Sequence, residues 1–295
     1  MWKEYIRDNP YSFFPDIFRT ERPDRVAGAI LEGRVALFTN GTPFVLVLPA
    51  DLPMFLQAPD DYNELFPIGS FIRVLRFLAF LISIFLPGIY VSLLNFHPEL
   101  LPIPLAITIQ DAREGVPFPV VAEILFMEAA FEVLREAGIR LPRAIGSAIS
   151  IVGALILGEA AIRAGLVSPG VVIIVAFTAI ASFSAPVFSL AITARLLRFG
   201  MIFLGAAFGL FGIQFGLLAL IIHLVSLRSF GHPYMAPYGP FILQDMKDSI
   251  LRMPSWSHIK RPKLLGYREP FRQRPGQQSR TGKGSQGGKK GRDKQ

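Results

Sequence analysis

Four stretches, beginning near Val74, Ala144, Gly170 and Gly200, are almost free of charge and dense in Leu, Ile, Val, Phe, Ala and Gly. A helix rises about 1.5 Å per residue, so about 20 residues cross a hydrocarbon core of about 30 Å. The pattern predicts an α-helical polytopic membrane protein with about four transmembrane helices, near residues 74–96, 144–163, 170–193 and 200–227. Between the first two, "VPFPVVAEILFMEAAFEVLREAGIRLP" repeats with helical period. Glu128, Glu132, Arg135 and Glu136 fall on one arc, and Ile124, Met127, Phe131 and Leu134 on the other. This predicts an amphipathic helix over about 117–137, lying at the membrane surface rather than crossing. Glu123 breaks the pattern by projecting into the apolar face.

Residues 1–66 read differently, as a partial α+β cytoplasmic domain. "ERPDRVAGAILEG" has a short helical pattern, and Asn40-Gly41 separates the strand-like runs "RVALF" and "PFVLVLP". Asn-Gly favours the positive φ of a tight hairpin turn. One hairpin and one helix bury too little to fold alone, so either the membrane part or further N-terminal polypeptide must complete the unit. The expected division is 1–66 cytoplasmic, 67–252 membrane domain and 253–295 a basic disordered cytoplasmic tail ending in "GQQSRTGKGSQGGKKGRDKQ".

Composition sharpens this picture. The chain is 52% hydrophobic with a formal charge of +8, yet Arg252–Gln295 alone carries 13 Lys/Arg against Glu269 and Asp293, so the preceding residues are net negative. The tail and Arg73/Arg76 bias both termini to the cytoplasmic side, which requires an even number of spans. Arg195 and Arg198 then fall between the third and fourth spans, on the outer side. The tail lacks interleaved aromatics, so an anionic leaflet suits it better than nucleic acid. Absence of cysteine excludes disulfides, thiolate metal sites and a cysteine nucleophile. His97, His223, His232 and His258 have no paired spacing for metal, and no phosphate loop or nucleophilic triad is present, so no enzyme and no cofactor are expected.

Polar groups inside a bilayer need partners. In "TAIASFSAPVFSLAIT", Thr178, Ser182, Ser189 and Thr193 would form one stripe on a continuous helix. Pro186 cannot bond the carbonyl of Ser182 four residues back. The stripe has two readings: close packing against a neighbouring helix, or the lining of a path for water and ions. Pro87 repeats the device, freeing the carbonyl of Ser83 at what reads as a simple kink. Gly205, Gly209, Gly212 and Gly216 mark a packing face, with His223 near its end as a hydrogen-bonding interfacial group. Glu159 and Arg163 are one turn apart and suit an intrahelical ion pair, or leave Glu159 to attract ions.

The segments "FFPDIFRTERPDRVAGAILEGRVALFTNGTPFVLVLP", "PDDYNELF", "HPELLPIPL", "REGVPFPVVAEILFMEAAFEVLREAGIRLPRAIGSAISIVGALILGEAAIRAGLVSP", "TAIASFSAPVF" and "RSFGHPYMAPYGPF" occur in an order that resembles GerA-type spore germination proteins, the A subunits of germinant receptors. The resemblance covers about Asn9 to Pro262. It implies a subunit of a complex in the spore inner membrane, acting with a transporter-like B subunit and a lipoprotein C subunit. It also implies a homo-oligomer around an ion-conducting pore, in contact with membrane lipids. A stage V sporulation paralogue in the same family implies a similar mechanism. The chain departs from the family pattern in starting about 20 residues before "TERPDR", and in carrying Glu159 where glutamine is usual. Two other readings stay open: a non-conducting scaffold for receptor partners, and a secondary transporter built on broken helices and Glu123.

Overall fold

The runs "VAL" and "VLVL" pair as strands. The computed structural model describes residues 5–140, 142, 153, 156–254, 257–265 and 271–272. Strands β1 (Phe18–Thr20), β2 (Val35–Leu37) and β3 (Val45–Leu48) form an antiparallel sheet in the order β1–β3–β2, with Phe18 opposite Val47 and Val35 opposite Leu48. The expected hairpin forms, but not through a two-residue turn. Pairing stops at Leu37 and Leu46, and residues 38–44 make a longer loop with Gly41 at φ 81°. Pro43 has no N–H to extend the ladder toward Asn40-Gly41. Helix α1 (Pro23–Leu31) starts with proline, whose fixed φ suits the first helical position, and buries Val26 and Ala29 on the sheet. Helix α2 (Leu52–Leu56) is capped by Asp51, whose carboxylate accepts the Met54 N–H at 3.2 Å.

This unit is completed by chain that follows the helical bundle. Strands β4 (Arg228–Ser229) and β5 (His232–Pro233) meet at a turn in which Phe230 and Gly231 have φ 50° and 76°. The Ser229 hydroxyl accepts the Ala50 N–H at 3.0 Å and donates to the Asp16 carbonyl at 2.6 Å. Tyr234 is fully buried against Phe14 and Phe55, and its carbonyl accepts the Leu52 N–H. The expected boundary at 252 therefore moves: residues 228–254 belong to the α+β unit. Residues 257–265, expected in the disordered tail, extend the same unit, with the Lys263 N–H on Asp245 and the Arg272 N–H on the Ile259 carbonyl. Most of the remaining tail lies outside the described residues.

Helix α3 (Phe66–Phe96) starts eight residues before the expected span. Arg73 and Arg76, expected to flank it, lie inside it and dock it to the α+β unit. Arg76 holds both carboxylate oxygens of Asp61 at 2.8 Å, and Arg73 reaches Asp61 at 3.4 Å and Asp248 at 2.8 Å. Beyond α3 come α4 (Ile103–Asp111), α5 (Val120–Arg140), helical residues 156–163, α6 (Pro169–Ser182) and α7 (Phe188–Ser226).

Helix α7 is two helices in one. Gly209 has φ 61° and ψ −146°, a conformation essentially closed to side chains, and there the chain folds back on itself. The reversal brings Gly216 against Met201, 2.7 Å from the position a Cβ would take. At the open end, the Thr193 hydroxyl donates to the Phe13 carbonyl at 2.7 Å while Ser12 bonds His223 at 3.1 Å. One N-terminal segment thus clamps both arms, residues 188–208 and 210–226.

Several expectations about the spans need correction. Phe66–Phe96 and Phe188–Ser226 are long and apolar enough to cross a membrane, whereas α6 is a shorter apolar helix. The expected third span breaks over residues 183–187, where Pro186 and the Ser184 hydroxyl, bonded back to the Ala181 carbonyl, favour a turn over continued helix. The expected fourth span is interrupted at Gly209. The second, 144–163, lies mostly outside the described residues; of it, 156–163 are helical. The expected loop at Arg195 and Arg198 is the middle of the first arm of α7. The amphipathic helix exists as α5, but Glu128 is buried rather than facing a surface.

Two outcomes follow from this architecture. Gly209→Ala forces a side chain into a strained conformation costing about 1–3 kcal/mol, whereas Gly200→Ala meets open space and is neutral or stabilising by up to about 1 kcal/mol. Thermal unfolding of the detergent-solubilised chain reads both. At Asp61, burial raises the pKa, but the Arg76 hydrogen bonds, the Ala58 N–H and the Arg76 and Arg73 charges outweigh it, leaving the value below the ordinary one. A lowered carboxylate pKa stabilises the fold above the unfolded value and loses that contribution as pH falls through the folded one. The stability gap between wild type and Asp61→Asn should stay constant from neutral pH to about pH 4 and close below it.

Candidate functional site

An apolar helix bundle tolerates charge only where the charge finds a partner. In this chain the partners are brought together along one seam. The first arm of α7 runs parallel to α3, with Arg198 beside Ser83, Gly205 beside Gly88 and Gly209 beside Phe96. Helix α5 runs the opposite way against that arm, so Glu128 meets Arg198 and Glu132 meets Arg195.

The centre of the seam begins with Pro87. It lies inside α3 and lacks the N–H that would take the Ser83 carbonyl. That carbonyl instead accepts the Arg198 Nε–H at 2.7 Å, and Arg198 Nη1 donates to Glu128 at 2.6 Å. Both side chains are almost completely buried, Arg198 at 3% exposed and Glu128 at 4%. Three helices are thereby tied through one guanidinium. Each partner keeps one polar atom, Arg198 Nη2 and Glu128 Oε1, that is buried and unpaired among the described residues. One helical turn nearer the α+β unit, Glu132 bridges Arg195 and Arg135, and Arg135 Nη2 donates to the Ser182 hydroxyl at 3.1 Å. Arg135 also lies over the Phe183 ring at the α6–α7 break, 5.0 Å from its centroid.

A separate polar contact fixes the start of α6. Glu123 is buried at 1% exposed, and one carboxylate oxygen accepts both the N–H and the hydroxyl of Ser168 at 2.7 Å. The other oxygen accepts from Arg113 at 3.2 Å. The acid that broke the apolar face of α5 is therefore a cap for the neighbouring helix, fully partnered.

The other expected site residues divide by location. Thr178, Ser182 and Thr193 are buried inside the chain, and their hydroxyls donate to the carbonyls of Ile174, Ala179 and both Phe13 and Ser189. They do not form one stripe with Ser189, because the break at 183–187 puts Thr178 and Ser182 on α6, Ser189 and Thr193 on α7, and leaves Pro186 exposed between them. Gly205, Gly209, Gly212 and Gly216 are all buried; a Cβ on Gly205 would stand 2.5 Å from the Gly88 carbonyl, and Gly212 packs against the Leu204 backbone across the hairpin. Glu159 and Arg163 form the intrahelical ion pair on an exposed face.

Sequence reading missed Arg195 and Arg198 by assigning them to an outer loop, and gave Glu128 and Glu132 to a lipid surface. The available signal was complementary spacing: acids four apart on α5 and arginines three apart on α7 present opposite charges on adjacent helical turns. Pro87 marked the third partner, the Ser83 carbonyl.

Removing one member of the central pair should be far worse than removing both. Glu128→Leu strands a buried cation and Arg198→Met a buried carboxylate, and each is expected to lower stability by about 3–5 kcal/mol. The two changes together should recover most of that, leaving about 1–3 kcal/mol for the unpaired Ser83 carbonyl. Thermal unfolding of both single variants and the double variant measures the coupling; additive losses would show that the pair is not an energetic unit.

A family model described as Bacillus/Clostridium GerA spore germination protein matches residues 1–264. The chain is 51% identical to spore germination protein KA of Bacillus subtilis over 271 residues, covering 92% of this chain and 50% of that protein. It is 47% identical to spore germination protein A1 of the same organism over 252 residues, 85% of this chain and 52% of the relative. With spore germination protein GerLA of Bacillus cereus it shares 44% identity over 263 residues, 89% of this chain and 54% of the relative. The chain thus spans about half the length of the curated relatives it matches. No solved structure matches it. Over nearly all of its length, then, this chain belongs to the GerA family of spore germination proteins.

Proposed function

We propose that the chain is a non-enzymatic membrane subunit of a germinant receptor complex, multi-pass in the spore inner membrane, with both ends of the described chain on the cytoplasmic side. In this reading it assembles as a homo-oligomer with a transporter-like B subunit and a lipoprotein C subunit. It contributes to an ion-conducting path whose opening releases ions and starts germination. The observation that supports this best is the seam of paired charges between α5 and α7, with Arg198–Glu128 buried at its centre and Arg195–Glu132 partly exposed beside it, within a bundle whose exterior is apolar. A bundle needs no such charges to pack; replacing buried ion pairs by apolar side chains is often neutral or stabilising. A seam of this kind suits an element with two arrangements: closed while the charges pair with each other, and hydrated when they part.

The hydroxyl residues fit the same scheme in the resting state. Thr178, Ser182 and Thr193 face the interior and spend their protons on backbone carbonyls, so in this conformation they line nothing that water can reach. They become lining only if the segments packed over them part. The same internal satisfaction favours a second reading, in which the chain is a non-conducting scaffold that anchors its partners.

The chain has no cysteine, so single cysteines at 178, 182, 189 and 193 report access cleanly. In assembled complexes before stimulation, only position 189 should react with aqueous thiol reagents; after germinant addition, at least two of the other three should gain reactivity, together with a current across a planar bilayer. Intact assembly with no current and no change in labelling would establish the scaffold instead.

A further inference from the structure

A groove of about 620 Å³ lies where α7 leaves the α+β unit, between the edge of the sheet, the turn at residues 57–60 and the residues that open α7. Its rim on the α+β side carries Arg19, Arg22 and Arg25 against a single acid, Asp60. The three arginines are not equivalent. Arg25 donates to the carbonyls of Met54 and Gln57, and Arg22 is shared between Asp24 and Asp60. Arg19 is exposed and lies over the Phe44 ring, its guanidinium carbon 3.9 Å from the centroid, with no carboxylate within ion-pair distance among the described residues. Its guanidinium edge is free to donate.

The opposite wall is apolar and directional. Phe188 and Ile192 line the groove, and Leu196 continues the same row one turn further; they are 59%, 46% and 48% exposed. Spaced four apart, they form a single ridge along the helix. Because Thr193 is clamped to Phe13 at the base and Gly209 turns at the far end, the ridge runs from the arginines away from the α+β unit. Positive charge therefore sits at one end of a greasy track, on the first arm of the apolar helix pair Phe188–Ser226.

We propose that this groove binds an anionic phospholipid, its phosphate on Arg19 with Arg22 beside it, and an acyl chain along Phe188, Ile192 and Leu196. A free anion would leave the apolar row unused, and a zwitterionic lipid would gain less from the unpaired arginine. The proposal rests on the reading of the chain as membrane-embedded. Lipid at this point would touch β1 and the first turn of α7 together, bracing the α+β unit against the arm that carries Arg195 and Arg198.

The test uses the full chain purified in mild detergent and offered equal amounts of phosphatidylglycerol and phosphatidylcholine with matched acyl chains. Retained lipid per chain is read by mass spectrometry of the intact complex. Wild type should retain phosphatidylglycerol in preference. Arg19→Ala should lower that retention about five-fold, the effect of one basic group near an anionic headgroup, without changing phosphatidylcholine. Arg19→Lys should keep most of the preference, and excess inorganic phosphate should not displace the lipid. Equal retention of both lipids by wild type would overturn the site while leaving membrane embedding intact; retention of neither would strike at embedding itself. Displacement by phosphate would mark a bare anion site. Unchanged lipid with an altered oligomeric mass in Arg19→Ala would assign the face to contact between copies.

Discussion

One guanidinium holds the centre of this structure. Arg198 sits where charge is most costly, inside a bundle of apolar helices, and it is tolerated because two acceptors from two other helices converge on it. One acceptor is an ordinary carboxylate, Glu128. The other exists only because Pro87 leaves a backbone carbonyl without its usual donor. A defect in one helix and a charge in another are each unfavourable alone and satisfy each other when α3 and α7 lie parallel in this register. The register is therefore specified chemically, and a shift of one turn would strand a cation, an anion and a carbonyl together.

The same principle, that a charged side chain buried in the bundle is met by a polar partner, organises what surrounds that centre. Glu123 caps α6 through Ser168, and Arg135 joins Glu132 to Ser182. Toward the α+β unit the chain uses arginine again, with Arg73 and Arg76 closing on Asp61 and Asp248. Since Asp248 comes from chain that follows α7, this contact joins the two ends of the folded sequence and carries the base of α3 with them. Ser12 and Phe13 do likewise for the two arms of α7. Movement of the α+β unit cannot leave the helices undisturbed.

Much of this was legible in the sequence, and what escaped did so for identifiable reasons. The apolar runs imply a mostly helical chain, Asn40-Gly41 lies between two strands that do pair, and Glu159–Arg163 is the ion pair its spacing implies. Incompleteness of residues 1–66 was readable from their small size, but not the partner, because Ser229 and Tyr234 lie some 180 residues further along the chain. Span boundaries failed at Arg195 and Arg198 because hydropathy scores a charge as though it met lipid, whereas these meet carboxylates. They failed again at Gly209, where one residue in a conformation reserved for glycine reverses a helix with no polar loop to announce it. The hydroxyls of "TAIASFSAPVFSLAIT" stand out by their cost in an apolar setting, but a single stripe requires a continuous helix, which the break at 183–187 removes.

The two contacts of the first α7 arm differ in kind, and the difference says where the bundle can change shape. Against α3 the arm packs backbone to backbone: a Cβ on Gly88 would stand 2.7 Å from the Met201 carbonyl, and one on Gly205 would meet the Gly88 carbonyl. Such contact is dense, short-ranged and lost wholly on small separation, so it behaves as a rigid joint. Against α5 the arm is joined largely by ion pairs, whose attraction falls slowly with distance and whose partners regain hydration when they separate. Water entering between α5 and α7 would find Glu128 Oε1 and Arg198 Nη2 already without partners. The joint between α5 and this arm is thus the one that water can open while α3 and the arm stay together.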